Sequence, residues 1–304
     1  MRQSEARPRG GNKFVIVGIG EILWDVFPEG RKMGGAPANF AFYAKSLGEE
    51  GIIVSRVGKD GDGEEILSRV LSAGLDTPYI QVDDARATGT VTVRSDERGL
   101  PRFVIHEDRA WDYLEMTPGL ESLAARADAV CYGSLGQRSP ASRKAVSSFL
   151  AYTRGDCLRI FDLNLRPPHF DPESIVTLLK RSRILKLNEE EIRSVARLLG
   201  LSGGESEIAK GLLSTYSLDL IVLTRGGKGS VMFSPEETVA SPAAIVQVTD
   251  TVGAGDAFTA AVAVGLLRNK PLRHIGAVAN QVAGFVCGQQ GAWVMLPESL
   301  IRNL

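Results

Sequence analysis

Residues 250–258 read DTVGAGDAF and run without a break into TAAVAVGLL at 259–267. An apolar run of helical character therefore opens on glycine, alanine, glycine and a single acid. The first N–H groups of a helix have no intrahelical partner, and the helix dipole favours negative charge at that end. A loop stripped of side chains lets an anion come close to those N–H groups. Gly253, Ala254 and Gly255 are thus predicted to cradle phosphate oxygens, or the charge that develops during phosphoryl transfer. Asp256, at the lip of the cradle, would repel a bound phosphate unless it faced an incoming hydroxyl whose proton it could take. The competing reading is structural: a tight glycine turn and a helix capped by Asp256.

Outward from this loop, short β-rich runs alternate with amphipathic ones. FVIVGIG (14–20), GIIVSRVG (51–58), DAVCYG (128–133), LRIFDLN (158–164), RILKLN (183–188) and DLIVLTRGG (219–227) read as strands. Between them, 37–48, 61–75, 140–154, 173–182 and 189–200 read as helices, and two more close the chain. Apolar strands alternating with helices predict an α/β fold, a largely parallel sheet covered on both faces. Residues 21–30 and 87–108 break the rhythm with period-two alternation, with Asp96 and Gly99 as turn residues. They predict a separate antiparallel sheet, a candidate lid and dimer contact, with a surface hairpin as the alternative. Residues 1–12 read as a disordered tail.

Composition narrows the partners. A net charge of −1 gives no electrostatic case for nucleic acid or an anionic membrane. Three scattered cysteines without ligand spacing point to reduced thiols in a soluble, cytoplasmic protein. The longest apolar stretch, 257–267, is shorter than the roughly 20 residues of a membrane span. Two phosphate loops are excluded. TRGGKGS (224–230) lacks the Ser or Thr after Lys228 and the leading glycine of a Walker loop. VGIGEIL (17–23) has Leu23 where a dinucleotide fingerprint needs its third glycine, which argues against a nicotinamide oxidoreductase.

DTVGAGDAFTAAVAVGLL resembles the C-terminal signature of the ribokinase-like (PfkB) carbohydrate kinases, and GGAPANFAFYAKSLG (34–48) their N-terminal one. LNEEE (187–191), TRGGKG (224–229) and ANQVAGFVCGQQGA (279–292) resemble further family segments, so the likeness spans 14–297. It implies a ribokinase-like fold: one kinase domain at 13–304 with a small antiparallel β lid from about 21–35 and 87–108. It also implies ATP and Mg2+ as cofactors, a sugar substrate and a homodimer through the lid. Asp256 would be the proton acceptor, with the amides of Gly253, Ala254, Gly255 and Asp256 itself as the anion hole.

By the same resemblance, Asn188, Thr224, Gly226, Gly227, Gly229 and Asn280 would line the nucleotide. Glu191 would meet Mg2+ through water, and Asp250 with the Val252 carbonyl would form a site for a monovalent cation such as K+. Asn188 with Glu191 is equally a capping box, and Asn280 equally a satisfied buried amide. Asp25, Gly34, Gly35 and Asn39 would grip the sugar, since Asp and Asn each serve several polyol hydrogen bonds. Trp24 offers either a face for the sugar or core packing. FDLNLRP (161–167) adds Arg166, a substrate contact or a fork holding Asp162.

GGAPAN and FDLNLRP resemble the fructokinase-like branch, making fructose the expected acceptor. A 2-keto-3-deoxygluconate kinase, with Arg102 or Arg166 on the carboxylate, is the alternative. A catalytically silent sugar-sensing relative is the reading from another class.

Overall fold

The computed structural model describes residues 13–95 and 101–304; the expected tail, the turn at Asp96 and Gly99, and the side chain of Arg102 lie outside the described part. The strands are β1 Val15–Ile19, β2 Leu23–Phe27, β3 Gly30–Gly34, β4 Glu50–Gly58, β5 Ile80–Asp83, β6 Gly89–Ser95, β7 Pro101–Ile105, β8 Ala129–Tyr132, β9 Leu158–Asp162, β10 Ile184–Asn188, β11 Leu220–Thr224, β12 Ser230–Phe233 and β13 Thr238–Ser241. The helices are α1 Ala36–Ser46, α2 Gly61–Ser72, α3 Pro118–Arg126, α4 Pro140–Tyr152, α5 Pro172–Arg181, α6 Glu189–Leu199, α7 Glu205–Tyr216, α8 Ala254–Leu267, α9 Leu272–Cys287 and α10 Glu298–Arg302.

Nine strands make one sheet in the order β13-β12-β11-β10-β9-β8-β1-β4-β5. Every pairing from β11 to β5 is parallel, because a helix or a long crossover joins each successive pair. β12 and β13 add an antiparallel edge. Only a short turn separates β11 from β12, and a short turn can make nothing but a hairpin. That edge, together with α3 and α7, is not apparent in the sequence pattern.

Strand alternation sorts the core into two layers. Val15, Val17 and Ile19 face the layer under α3 to α7, whereas Ile16 faces the layer under α1, α2, α8 and α9. Two glycines set how closely α1 lies on the sheet. A Cβ on Gly18 would stand 1.9 Å from the Pro37 carbonyl oxygen, and one on Gly51 would stand 2.0 Å from that of Ala41. Gly18 and Gly51 thus serve backbone-to-backbone packing, and Gly18 seats the first turn of α1 at the C-terminal end of β1.

The second sheet has the order β3-β2-β6-β7. Its two outer pairings are antiparallel and the central one, β2 with β6, is parallel. The direction follows from the main sheet: β2 leaves β1 and β6 leaves β5, and those two strands run the same way. Leu23, Val91 and Val93 form its small core, with Phe27 and Ile105 against them. Trp24 is fully buried and donates its Nε1–H to the Asp62 carbonyl, with the Arg31 and Arg69 guanidinium groups over its ring. It packs the fold and offers no face to a ligand. Among the described residues, no helix is long and apolar enough to cross a membrane.

Candidate active site

Helix α8 begins at Ala254, two residues before Asp256. Its N-cap is Gly253 in the left-handed region, φ 79°, where a Cβ would also stand 2.7 Å from the Ala292 carbonyl oxygen. No side chain caps the helix; the Ala254 amide donates to the Thr251 carbonyl at 3.3 Å, which leaves the amides of Gly255 and Asp256 for an external acceptor. Asp256 lies inside that turn, and the capping reading of it falls.

Asp256 is half-buried and held from α1. Asn39 donates Nδ2–H to its Oδ2 at 2.8 Å, and Trp293 donates Nε1–H to Asn39 Oδ1 at 2.8 Å. The Trp293 ring stacks on Phe42 at 4.6 Å, which fixes the indole and so the orientation of the Asn39 amide. Burial, with the Asp162 carboxylate nearby, pushes the Asp256 carboxyl up to about 7, against the pull of Asn39, Lys186 and Arg166. A carboxyl poised near neutrality suits proton transfer.

Beneath this turn lies an ion pair that the motifs do not reveal. Lys186 Nζ donates to Asp162 Oδ1 at 3.0 Å, and Thr259 donates to Asp162 Oδ2 at 3.0 Å. Burial opposes the lysine's charge, but Asp162, then Glu191 and Asp256, hold it protonated and raise its pKa. Arg166 does not hold Asp162; it stands exposed at the mouth of the cleft, bonded to the Leu165 carbonyl.

Of the residues expected at the sugar, Asp25 is half-buried, with no hydrogen-bond partner among the described residues. Burial pushes it up to about 6, against Arg166 and Lys32. Gly34 faces it so closely that a Cβ would stand 2.4 Å from Asp25 Oδ2. Gly35, φ 113°, passes the Glu21 carbonyl at a distance that excludes any side chain. Glu21 itself escaped the sequence reading. It is buried with Oε2 unpartnered, and burial pushes it up to about 7, with Asp256 adding to the rise after the amide of Glu21 itself opposes it. Asp25, Gly34, Gly35, Asn39 and Asp256 therefore converge.

The residues expected to line the nucleotide lie at the ends of β10 and β11. Asn188 Oδ1 accepts from the amides of Glu190 and Glu191, and Glu191 Oε2 accepts from Asn188 N, so the capping box is formed. Glu191 Oε1 takes the Leu165 amide at 2.9 Å. Each of its oxygens keeps a second lone pair, which fits a water-mediated Mg2+. Thr224 ends β11, and Gly226, Gly227 and Gly229 form the turn after it. A Cβ on Gly229 would clash with the Ser241 carbonyl at 2.1 Å, whereas Gly227 faces open space. Asn280 is buried, and its amide donates to Ser230 and to the Gly276 carbonyl, so the satisfied-amide reading describes it and its N–H groups are not free for a base. Ile245, Val246 and Val248 stand exposed in the stretch before α8.

Asp250 does not fit a further monovalent cation. Its Oδ1 takes the Val252 amide, and its Oδ2 takes the Gly291 amide at 3.1 Å and Lys32 Nζ at 3.0 Å. Burial opposes ionisation, yet these donors hold the carboxyl below its ordinary range. Lys32, from β3, already supplies the balancing charge.

A family model described as pfkB family carbohydrate kinase matches residues 26–299. An uncharacterized sugar kinase of Pyrococcus horikoshii is 31% identical over 298 residues, spanning 92% of each chain. Its crystal structure in complex with ATP matches with a TM-score of 0.78, over 92% of this chain and 94% of that one. A fructokinase of Klebsiella pneumoniae is 29% identical over 308 residues, 94% of this chain and 98% of that protein. An ATP-dependent 6-phosphofructokinase of Thermoanaerobacterium thermosaccharolyticum is 26% identical over 303 residues, 94% of this chain and 92% of that protein.

Proposed function

This chain belongs to the pfkB family of carbohydrate kinases and is an ATP-dependent phosphotransferase with an alcohol group as acceptor, and on that premise we propose that it phosphorylates a primary hydroxyl of fructose. The observation that carries the reading is the convergence of Asp25 and the Gly34–Gly35 backbone on the Asn39–Asp256 pair. Asn39 occupies Asp256 Oδ2, which leaves Oδ1 to orient the hydroxyl and take its proton as the new bond forms. The open amides of Gly255 and Asp256 in the first turn of α8 receive the charge on the transferred group.

Asn188, Thr224 and the glycines at 226, 227 and 229 approach the ATP phosphates or ribose mainly through backbone. Mg2+, arriving with ATP, would be held through water by Glu191 and supplies charge neutralisation at the β- and γ-phosphates. The small sheet acts as a lid over the sugar, and exposed Phe103 and Val104 on β7 support a homodimer through it. Sedimentation of the purified protein tests the dimer.

A second acceptor, 2-keto-3-deoxygluconate, is favoured by one observation: Arg166 is free of Asp162 and stands at the cleft mouth, placed to meet a carboxylate. Turnover with Mg-ATP against fructose, ribose, fructose 6-phosphate and 2-keto-3-deoxygluconate decides. Fructose should give the highest kcat/KM. Higher values for the keto acid, lost in Arg166→Ala, would replace the first reading with the second.

A further inference from the structure

The assigned motifs leave one charged group inside the site without a task. Lys186 lies in ILKLN, flanked by Leu185 and Leu187, which are fully buried on the opposite face of β10. Its side chain is 12% exposed, and burying an ammonium is unfavourable without compensation. Asp162 compensates it, but the pair does more than cancel. The Thr259 hydroxyl, from the second turn of α8, shares its one proton between Asp162 Oδ2 at 3.0 Å and the Gly255 carbonyl at 2.9 Å. The ion pair is thereby bolted to the helix whose N-terminus is the anion cradle. A Cβ on Gly255 would stand 3.3 Å from Lys186 Nζ, so the ammonium lies directly against the cradle wall. A larger residue at 255 would press on the lysine.

We propose that Lys186 is a further catalytic residue, whose ammonium contacts the γ-phosphoryl group of ATP as it passes across the N-terminus of α8, with Asp162 and Thr259 as its positioning residues. The inference rests on the kinase reading above. In the step, the acceptor oxygen forms a bond to the γ-phosphorus while the bond from that phosphorus to the β,γ-bridging oxygen breaks. The hydroxyl proton goes to Asp256, and the bonding pair leaves with ADP. Lys186 moves no proton. Of its three N–H groups, one is held by Asp162, and the others turn to the equatorial oxygens of the transferring group, whose charge exceeds what neutral amides alone can offset. A fixed cation there needs no rearrangement at the moment of transfer.

The test compares wild type, Lys186→Met, Lys186→Arg and the double variant Lys186→Met/Asp162→Asn, which removes the carboxylate left unpaired. Wild-type turnover of a sugar with Mg-ATP tests the kinase reading by itself. Given that turnover, Lys186→Met should lower kcat by about 10²-fold or more, the size seen when one transition-state donor is removed. Lys186→Arg should recover at least part of the loss. Calorimetric titration with ATP and with ADP supplies a readout that a merely structural lysine would not move. The preference of Lys186→Met and of the double variant for ATP over ADP should fall about tenfold relative to wild type, while ADP affinity holds. Asp256→Asn, inactive but with Lys186 intact, should keep the wild-type preference. Equal losses of ATP and ADP affinity, or a folded Lys186→Met enzyme within about threefold of wild-type kcat, would overturn the proposal.

Discussion

Asn39 Nδ2 donates to Asp256 Oδ2 across 2.8 Å, joining residues 217 apart in the first turns of two helices. The bond fixes one carboxylate oxygen and directs the other. Asp256→Asn places an amide where proton acceptance is needed, while the main-chain cradle stays. Turnover should fall by about 10³-fold, within the range for a lost general base, with ATP affinity by calorimetry within about threefold of wild type. A variant retaining a tenth of the activity would remove Asp256 from proton transfer.

With its carboxyl pushed up to about 7, Asp256 must lose a proton before it can accept one. The kcat profile should therefore fall about tenfold per pH unit on the acid side of 7. Asn39→Leu removes a contact that lowers this pKa and should move the limb to higher pH. The sign for stability is opposite. The native carboxyl keeps its proton where the unfolded chain has released it, so this contribution is complete below about 4 and is lost as pH rises through about 7. Asp256→Asn does not titrate, so its Tm relative to wild type should climb between pH 4 and 8. A flat difference would show that the carboxyl is not displaced.

The Lys32–Asp250 pair predicts the response to salts. Initial rates in K+, Na+ and choline buffers of equal ionic strength should agree within about twofold. Lys32→Gln leaves Asp250 with amide partners alone, and its rate should rise with K+. Strong activation of the wild type by K+ would mean that the ammonium yields its place to the ion.

Gly18→Ala tests the seat of α1. The added methyl would enter the Pro37 carbonyl, which is backbone and cannot swing aside. About 3 kcal/mol of stability, the upper range for overpacking, should be lost in urea unfolding, with KM for the sugar raised in whatever folds.

What the sequence discloses depends on where partners lie along it. The strand–helix alternation and the loop at 250–258 are local, so the main sheet and the uncapped start of α8 are legible. Lys186, Glu21 and Trp293 are not, because their meaning comes from Asp162, Asp256 and Asn39, which only folding brings close. A signal for Lys186 was present nonetheless: a lone cation among the leucines of an interior strand has to be paired. The ion pair of Asp250 is hidden for the same reason, because its partner Lys32 lies 218 residues earlier. The parallel register of β2 and β6 is likewise set by the departure points of the two strands and not by their alternation.

The bond from Trp293 to Asn39 spans 254 residues, nearly the whole polypeptide. During synthesis the acceptor glycines emerge first and the phosphate cradle much later, yet the Asn39 amide is not locked until the indole follows. A ribosome-bound chain stalled after α8 therefore has Asn39 and Asp256 but not the indole that orients their bond. The orientation of the Asn39 amide is thus completed only when residue 293 has been made.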